Sequence, residues 1–364
     1  MAGKYNSIYD TSMDSIYQSR DLLKTLDRIS DNEGKAICMI PFGSTDDIFQ
    51  VFPNKHVPLH TVTAIKKKTN LALYTLRVFH RSDNKLKFKR DFLLYKMPGF
   101  TYSYLLISVG NPDLMHQELR SLVKHYYHEV ILSFIKSHDL IKLLERYRSN
   151  NKLDEIIITR ASQKIRYFGE KKITSITWPK SNLEDATKWL ADNDGFFKSL
   201  QFKALHLDRE ITNTFIDRQG SVRIERHFSR VFEALVLPNL KFLDRHIELF
   251  MNRGRRENKL LETRPLEINF EQEVFKEKGN HANFIGMLSV LEDASVSVLH
   301  GNPYIHLSIM DYVDGSSYDL WVVDSKQILL IPQLNSTIAS LKRIVNHIFD
   351  YYAEGEIKNH EYRR

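Results

Sequence analysis

The chain has 364 residues and a mass of 42.8 kDa, with 42% hydrophobic and 27% charged residues, the balance of a folded protein rather than a disordered or fibrous one. Its 14 Gly and 10 Pro exclude collagen-like and linker-dominated architectures, and its one cysteine, Cys38, can build neither an internal disulfide nor a thiolate metal site. Lys and Arg outnumber Asp and Glu by 52 to 45, but unevenly: residues 1–180 hold 29 against 18, a net of +11, and residues 181–364 hold 23 against 27, a net of −4.

The charge division suggests a basic N-terminal lobe over 1–180 and a mildly acidic C-terminal lobe over 181–364. A half of such charge suits a polyanionic partner, or attraction between the two halves.

In chain order, Met13, Ile16, Tyr17, Leu23 and Leu26 recur at helical spacing behind Thr11 and Ser12, and Gly34 closes the pattern. Strand-like stretches follow at 36–40, 49–52, 57–65, 71–80, 86–96 and 102–109, parted by turn residues such as Ser82-Asp83-Asn84. This reads as an antiparallel meander. A long helix is expected from about Pro112 to Arg148.

A second strand set is expected at 155–160, 164–168 and 173–178, with Gly169-Glu170 as a turn, then a helix over 183–191 and strands at 196–207, 211–216 and 222–226. A helix from Phe228 meets Pro238, which has no N–H to donate and crowds the carbonyl four residues back, so a break or kink is expected there. Further helix is expected over 271–291. Strands at 296–299, 304–310, 318–323 and 327–331 then lead into a helix over 336–352. The predicted class is α+β, two lobes each pairing an antiparallel meander with long helices.

Two strand-to-helix junctions read alike. Leu105-Leu106-Ile107-Ser108 matches Leu329-Leu330-Ile331-Pro332 at an offset of 224 residues, which suggests an internal duplication.

Four basic clusters are candidates for nucleic-acid contact. Lys66, Lys67 and Lys68 fall in an expected hairpin turn, and Lys85, Lys87 and Lys89 share one face of the next strand because strand side chains alternate. Arg160, Lys164, Arg166, Lys171 and Lys172 mark another hairpin with Tyr167 and Phe168 interleaved, and Arg253, Arg255 and Arg256 surround Gly254 past a helix end. Basic groups beside aromatics suit phosphate tracking and base stacking.

Catalytic signals are thinner. Asp311 and Asp314, with Asp324 and Lys326, have the residue types of a divalent-metal nuclease of restriction or host-defence type: two carboxylates to hold Mg²⁺ and a lysine to orient the attacking water. Asp324-Ser325-Lys326 reads equally as a polar turn between strands. Arg120 and His125 have the Arg-x4-His spacing found in HEPN-type ribonucleases, but on a strand-rich chain. Neither glycine-rich phosphate loop, G-x4-G-K-[ST] nor G-x-G-x-x-G, occurs, so no nucleotide cofactor is expected.

The leading expectation is a nucleic-acid-binding recognition or accessory subunit, with Mg²⁺ needed only if the chain is a nuclease. A protein-interaction module, engaging a protein partner or a second copy, is the third reading. No apolar run is long enough to span a bilayer, and a cytoplasmic location is expected.

Overall fold

The computed structural model describes residues 18–54, 60–68, 72–82, 85–110, 123, 126, 129–165, 181–192, 195–253, 264–301 and 304–360. They group into two compact units, the first reaching Asp244 and the second starting at Arg245. The class is α+β, with one antiparallel sheet in each unit.

In the first unit, helix α1 (Ser19–Asn32) opens with a reciprocal cap in which Gln18 N–H donates to Asp21 at 2.8 Å. Strand β1 (Ile37–Gly43) and helix α2 (Ile48–Asn54) follow, then the meander β2 (His60–Lys68), β3 (Leu73–Ser82), β4 (Lys85–Tyr95) and β5 (Ser103–Val109). The stretch 49–52 is therefore helix, not strand. Asp47 starts it, its carboxylate accepting from Phe49 N–H at 3.2 Å and its carbonyl from Val51 N–H at 3.1 Å.

The first half of the long helix expected over 112–148 lies largely outside the described residues, and its second half is interrupted. Ile131 and Leu132 form β6 against Gly43 and Phe42, and helix α3 begins only at Ser137. The buried hydroxyls of Ser133 and Ser137 explain the change: Ser133 donates to Asn239 at 2.5 Å, and Ser137 accepts from Phe197 N–H at 2.9 Å.

Strand β7 (Glu155–Ile165) runs unbroken where two strands were expected, taking up two register irregularities against β9. After it come β8 (Ser181–Asn182), helix α4 (Leu183–Asp192), β9 (Gly195–His206), β10 (Arg209–Asp217) and β11 (Val222–Glu225). The sheet order is β2-β3-β4-β5-β1-β11-β10-β9-β7-β8, with β6 also on β1. A division at residue 180 would cut between β7 and β9, which are hydrogen-bonded neighbours with Ile158 opposite Phe202.

Both faces of this sheet are covered. Ile37, Met39, Leu93, Tyr95, Leu105 and Ile107 pack with α1 and α3 through Leu22, Leu26, Leu140 and Leu144. Cys38, Ile40, Phe42, Leu94 and Leu106 pack on the other side with Ile48 and Phe52 of α2. The alternation along β1 and β5 is the period-two pattern of strands buried on both faces.

Helix α5 (Phe228–Val231) passes through a π turn at Phe232–Val236 into α6 (Leu237–Phe250). Leu237 N–H bonds to Phe232 O, five residues back. The wider turn sits immediately before Pro238, where an ordinary helical register would leave a carbonyl without its donor. The helix is thus re-registered rather than broken, and the division between the units falls inside α6.

The second unit contains β12 (Leu266–Phe270), helix α7 (Lys278–Leu288), β13 (Ala294–His300), β14 (His306–Asp311), β15 (Ser317–Val322), β16 (Gln327–Pro332), helix α8 (Ile338–Tyr351) and β17 (Gly355–Asn359). The helix expected over 271–291 is shortened because Phe275 N–H bonds to Ser325 O at 3.0 Å, holding 271–277 in turns. The sheet order is β13-β14-β15-β16-β12-β17. Leu341, Ile344, Val345 and Ile348 of α8 are buried, as are Ile268, Leu307, Leu320 and Leu330 of the sheet, each such side chain contributing about 1.5–3 kcal/mol of burial.

The two units share a connectivity. β1–α2–β2–β3–β4–β5, followed by β6, has the same strand neighbours as β12–α7–β13–β14–β15–β16, followed by β17: in both, the meander's last strand pairs with the opening strand, and a closing strand pairs with its other side. The offset of 224 residues seen in the sequence superposes β5 on β16. The first unit adds β11 beside β1 and builds four further strands outward.

Candidate nucleic-acid interface

The basic clusters do not converge on one surface. Two of them share the β2–β3–β4 edge of the larger sheet. Lys66, Lys67 and Lys68 are the final residues of β2, opposite Thr75, Tyr74 and Leu73, rather than in the turn. Lys85, Lys87 and Lys89 lie in the first half of β4, with Lys85 opposite Ser82 and Lys89 opposite Phe79. The two groups therefore flank opposite ends of β3, about 20 Å apart at ~3.3 Å per residue.

Residues 60–95 hold nine Lys/Arg against two Asp, a net of +7, equal to the net charge of the whole chain. The matched span of the second unit, 294–322, holds three Asp and no Lys or Arg. The same backbone arrangement carries opposite charge in the two units, so the lysines of β2 and β4 are not a requirement of the fold.

The third cluster lies at the far edge of the same sheet. Arg160, exposed, and Lys164 are on β7, six strands from β4 and thus about 29 Å away at ~4.8 Å per step. Arg166, Lys171 and Lys172 lie outside the described residues, as do Arg255 and Arg256.

Arg253 corrects the fourth cluster. It is 4% exposed. Its guanidinium donates to Leu249 O at 2.6 Å, Arg264 O at 2.7 Å and Pro265 O at 3.1 Å, and also to the Asn359 side chain. Burial, with the Arg264 charge adding to it, lowers its pKa to about 10. These donors join the end of α6 to the entry of β12, so Arg253 ties backbone rather than meeting phosphate.

The acidic candidates also separate. Asp311 ends β14 and Asp324 follows β15, so the six residues of β15 stand between them, about 20 Å along the sheet. Asp311 is fully buried: it pairs with Arg343 Nη2 at 2.5 Å, accepts Ser340 Oγ–H at 2.7 Å and accepts Val313 N–H at 2.9 Å. Asp314 accepts Ser316 N–H at 2.9 Å and the Thr337 hydroxyl at the start of α8. Asp324 accepts Lys326 N–H at 2.7 Å in an exposed turn. Carboxylates so far apart, with donors already on their oxygens, do not fit one Mg²⁺ site, and no cluster of metal-ligating side chains occurs among the described residues. Arg120 and His125 lie outside the described residues.

A polar cluster the sequence reading missed surrounds Glu267 on β12. It is 7% exposed, and accepts from Asn269 at 2.7 Å, His360 Nδ1 at 2.9 Å and Lys358 Nζ at 3.0 Å. Burial alone would raise its pKa. The hydrogen bonds from His360, Asn269 and Lys358 outweigh that and hold it at about 2. Glu267 alternates with Leu266, Ile268 and Phe270 in a short strand, a signal visible only once 266–270 is read as β.

Among the described residues no helix is long and apolar enough to cross a membrane. No protein-family model matches the chain, and no curated protein matches it in sequence.

Proposed function

We propose that the chain binds nucleic acid through its phosphates, using the β2–β3–β4 edge of the larger sheet, and acts in the cytoplasm as a recognition or accessory subunit rather than as an enzyme. The observation that carries this reading is the concentration of a net +7 over residues 60–95, which span three adjacent strands, against a net of −3 over the matched span 294–322 of the second unit. Lysines spread over about 20 Å of strand suit several successive phosphates and carry no base readout of their own. Arg160 and Lys164 supply a second, separate contact. The nuclease reading loses its basis at Asp311, Asp314, Asp324 and Lys326, because the sheet holds two of them at each end of β15.

The test is fluorescence anisotropy with single-stranded DNA, duplex DNA and RNA across a salt series. Wild-type protein is expected to bind with a steep log–log salt slope and leave the probes intact. Converting Lys66, Lys67 and Lys68 together to Ala is expected to reduce that slope by about 0.7–0.9 for each phosphate that the variant no longer neutralises. No binding at low salt, or an unchanged slope in the triple variant, would overturn the proposal.

A further inference from the structure

The charges of α1 are sorted by what they do. Its three acids are all engaged: Asp21 accepts Gln18 N–H at 2.8 Å, Asp27 accepts Ser229 N–H at 2.9 Å and the Ser229 hydroxyl at 2.8 Å, and Asp31 accepts His227 N–H at 2.6 Å. Asp27 and Asp31 thereby hold the start of α5, whose first N–H groups have no partner within the helix. The three cations of α1, Arg20, Lys24 and Arg28, are exposed and make no ion pair or hydrogen bond among the described residues.

Those cations follow one another at four-residue intervals, so they share one side of the helix in steps of about 6 Å. Like charges at that spacing oppose one another and weaken a helix, so helix formation does not call for them. Arg226, also exposed, sits at the far end of the row, its N–H donating to Ser30 Oγ at 2.8 Å. The near end meets the lysines of β2. Ser19, the first residue of α1, faces the Tyr95 hydroxyl. Tyr95 lies opposite Leu73 and Leu73 opposite Lys68, two strand spacings or about 10 Å. Leu73 belongs to the same buried cluster as Leu22 and Leu26 of α1.

We propose that the outer face of α1 binds nucleic-acid phosphates through Arg20, Lys24 and Arg28, and that the backbone held at Lys66–Lys68 continues along it to Arg226. This route presupposes nucleic-acid binding at the β2–β3–β4 edge and adds the direction in which the bound strand leaves that edge. The cations advance along α1 by about the separation of neighbouring phosphates in one strand, so successive residues meet successive phosphates. With no acid paired to them, all three are free to displace counterions from the strand. Contacts of this kind position a strand without reading its bases.

The test is the anisotropy titration across salt, on a second set of variants. Converting Arg20, Lys24 and Arg28 together to Gln is expected to lower the salt slope by about 2–3, at about 0.7–0.9 for each phosphate given up. The melting temperature is expected to stay at the wild-type value, because none of the three is buried or paired. Lys24→Gln alone is expected to give about a third of the change in slope. Converting Lys142 and Arg146, on the exposed side of α3, to Gln is expected to leave the slope unchanged. A wild-type slope in the α1 variant, while the Lys66, Lys67 and Lys68 variant lowers it, would overturn this route, leave the β2–β3–β4 edge standing and release the α1 row to an acidic protein surface. An equal loss per charge in the α3 variant would also overturn it, since net charge rather than position would then set the affinity. Absence of binding by wild-type protein would remove the edge and the route together.

Discussion

Asp311 on β14 and Arg343 on α8 form a buried ion pair, with Arg343 Nη2 2.5 Å from one carboxylate oxygen and Nε 3.1 Å from the other. The same guanidinium donates to Glu292 O at 2.5 Å, so it fixes the approach to β13 as well as the sheet beneath α8.

Removing the cation leaves the carboxylate buried without its counter-charge. Arg343→Ala is expected to cost about 3–5 kcal/mol of stability by urea denaturation, and Arg343→Lys less. Because Asp311 serves α8, millimolar Mg²⁺ is expected to leave the wild-type unfolding midpoint unchanged. A midpoint raised by Mg²⁺ would show that a metal site exists.

Arg253→Ala is expected to destabilise the second unit by about 2–4 kcal/mol, since four acceptors lose a charged donor. Its salt slope for nucleic acid is expected to match wild type where binding persists. A shallower slope in the variant would mean that Arg253 reaches phosphate after all.

Glu267 gives a pH dependence with a definite sign. Its pKa falls from an ordinary value of 4.5 to about 2 in the folded protein, so the unfolded chain takes up the proton first as pH drops. The stabilisation, on the order of 3 kcal/mol, is fully present above about pH 5 and is lost as pH falls toward 2. Comparing wild type with Glu267→Gln by urea denaturation, the stability difference is expected to shrink over that interval. A constant difference would remove the carboxylate as its cause.

Gly220 closes the β10–β11 turn at φ +74°, and a Cβ there would stand 1.9 Å from the Asn239 side-chain nitrogen. Gly220→Ala therefore forces Asn239 away from its bond with Ser133, in addition to the backbone strain. A loss of several °C in melting temperature is expected; an unaltered melt would mean that Asn239 moves freely.

Much of the fold was legible because alternation and turn residues mark long antiparallel strands well, and the meanders at 71–109 and 304–331 needed no tertiary information. The opening strand of the second meander did not announce itself. Leu266–Phe270 is five residues long with a glutamate within, and its partner Gly355–Asn359 is mostly polar; both are strands because neighbours bring them their hydrogen bonds. At 49–52 the aromatic residues favoured strand, and Asp47 as a cap decided for helix. The lysine groups of β2 and β4 could be found by counting, and a meander already sets them at opposite ends of β3, but that Lys66, Lys67 and Lys68 pair within β2 instead of forming its turn could not be read. Arg253 shows the reverse: a basic residue beside a glycine looks solvent-facing until the carbonyls that enclose it are known.

β12 is the first strand of the six-stranded sheet in chain order and β17 the last, and the two lie side by side with Leu266 across from Asn359. The polypeptide thus enters and leaves this sheet at a single seam. During synthesis the seam is sewn last: β12 has its partner β16 once residue 332 is made, yet its other flank stays bare until residue 359 follows. Over that interval a nascent unit offers a strand of Leu266, Ile268 and Phe270 to whatever extended segment is nearby, so the timing of β17 sets when the unit stops being open to mispairing.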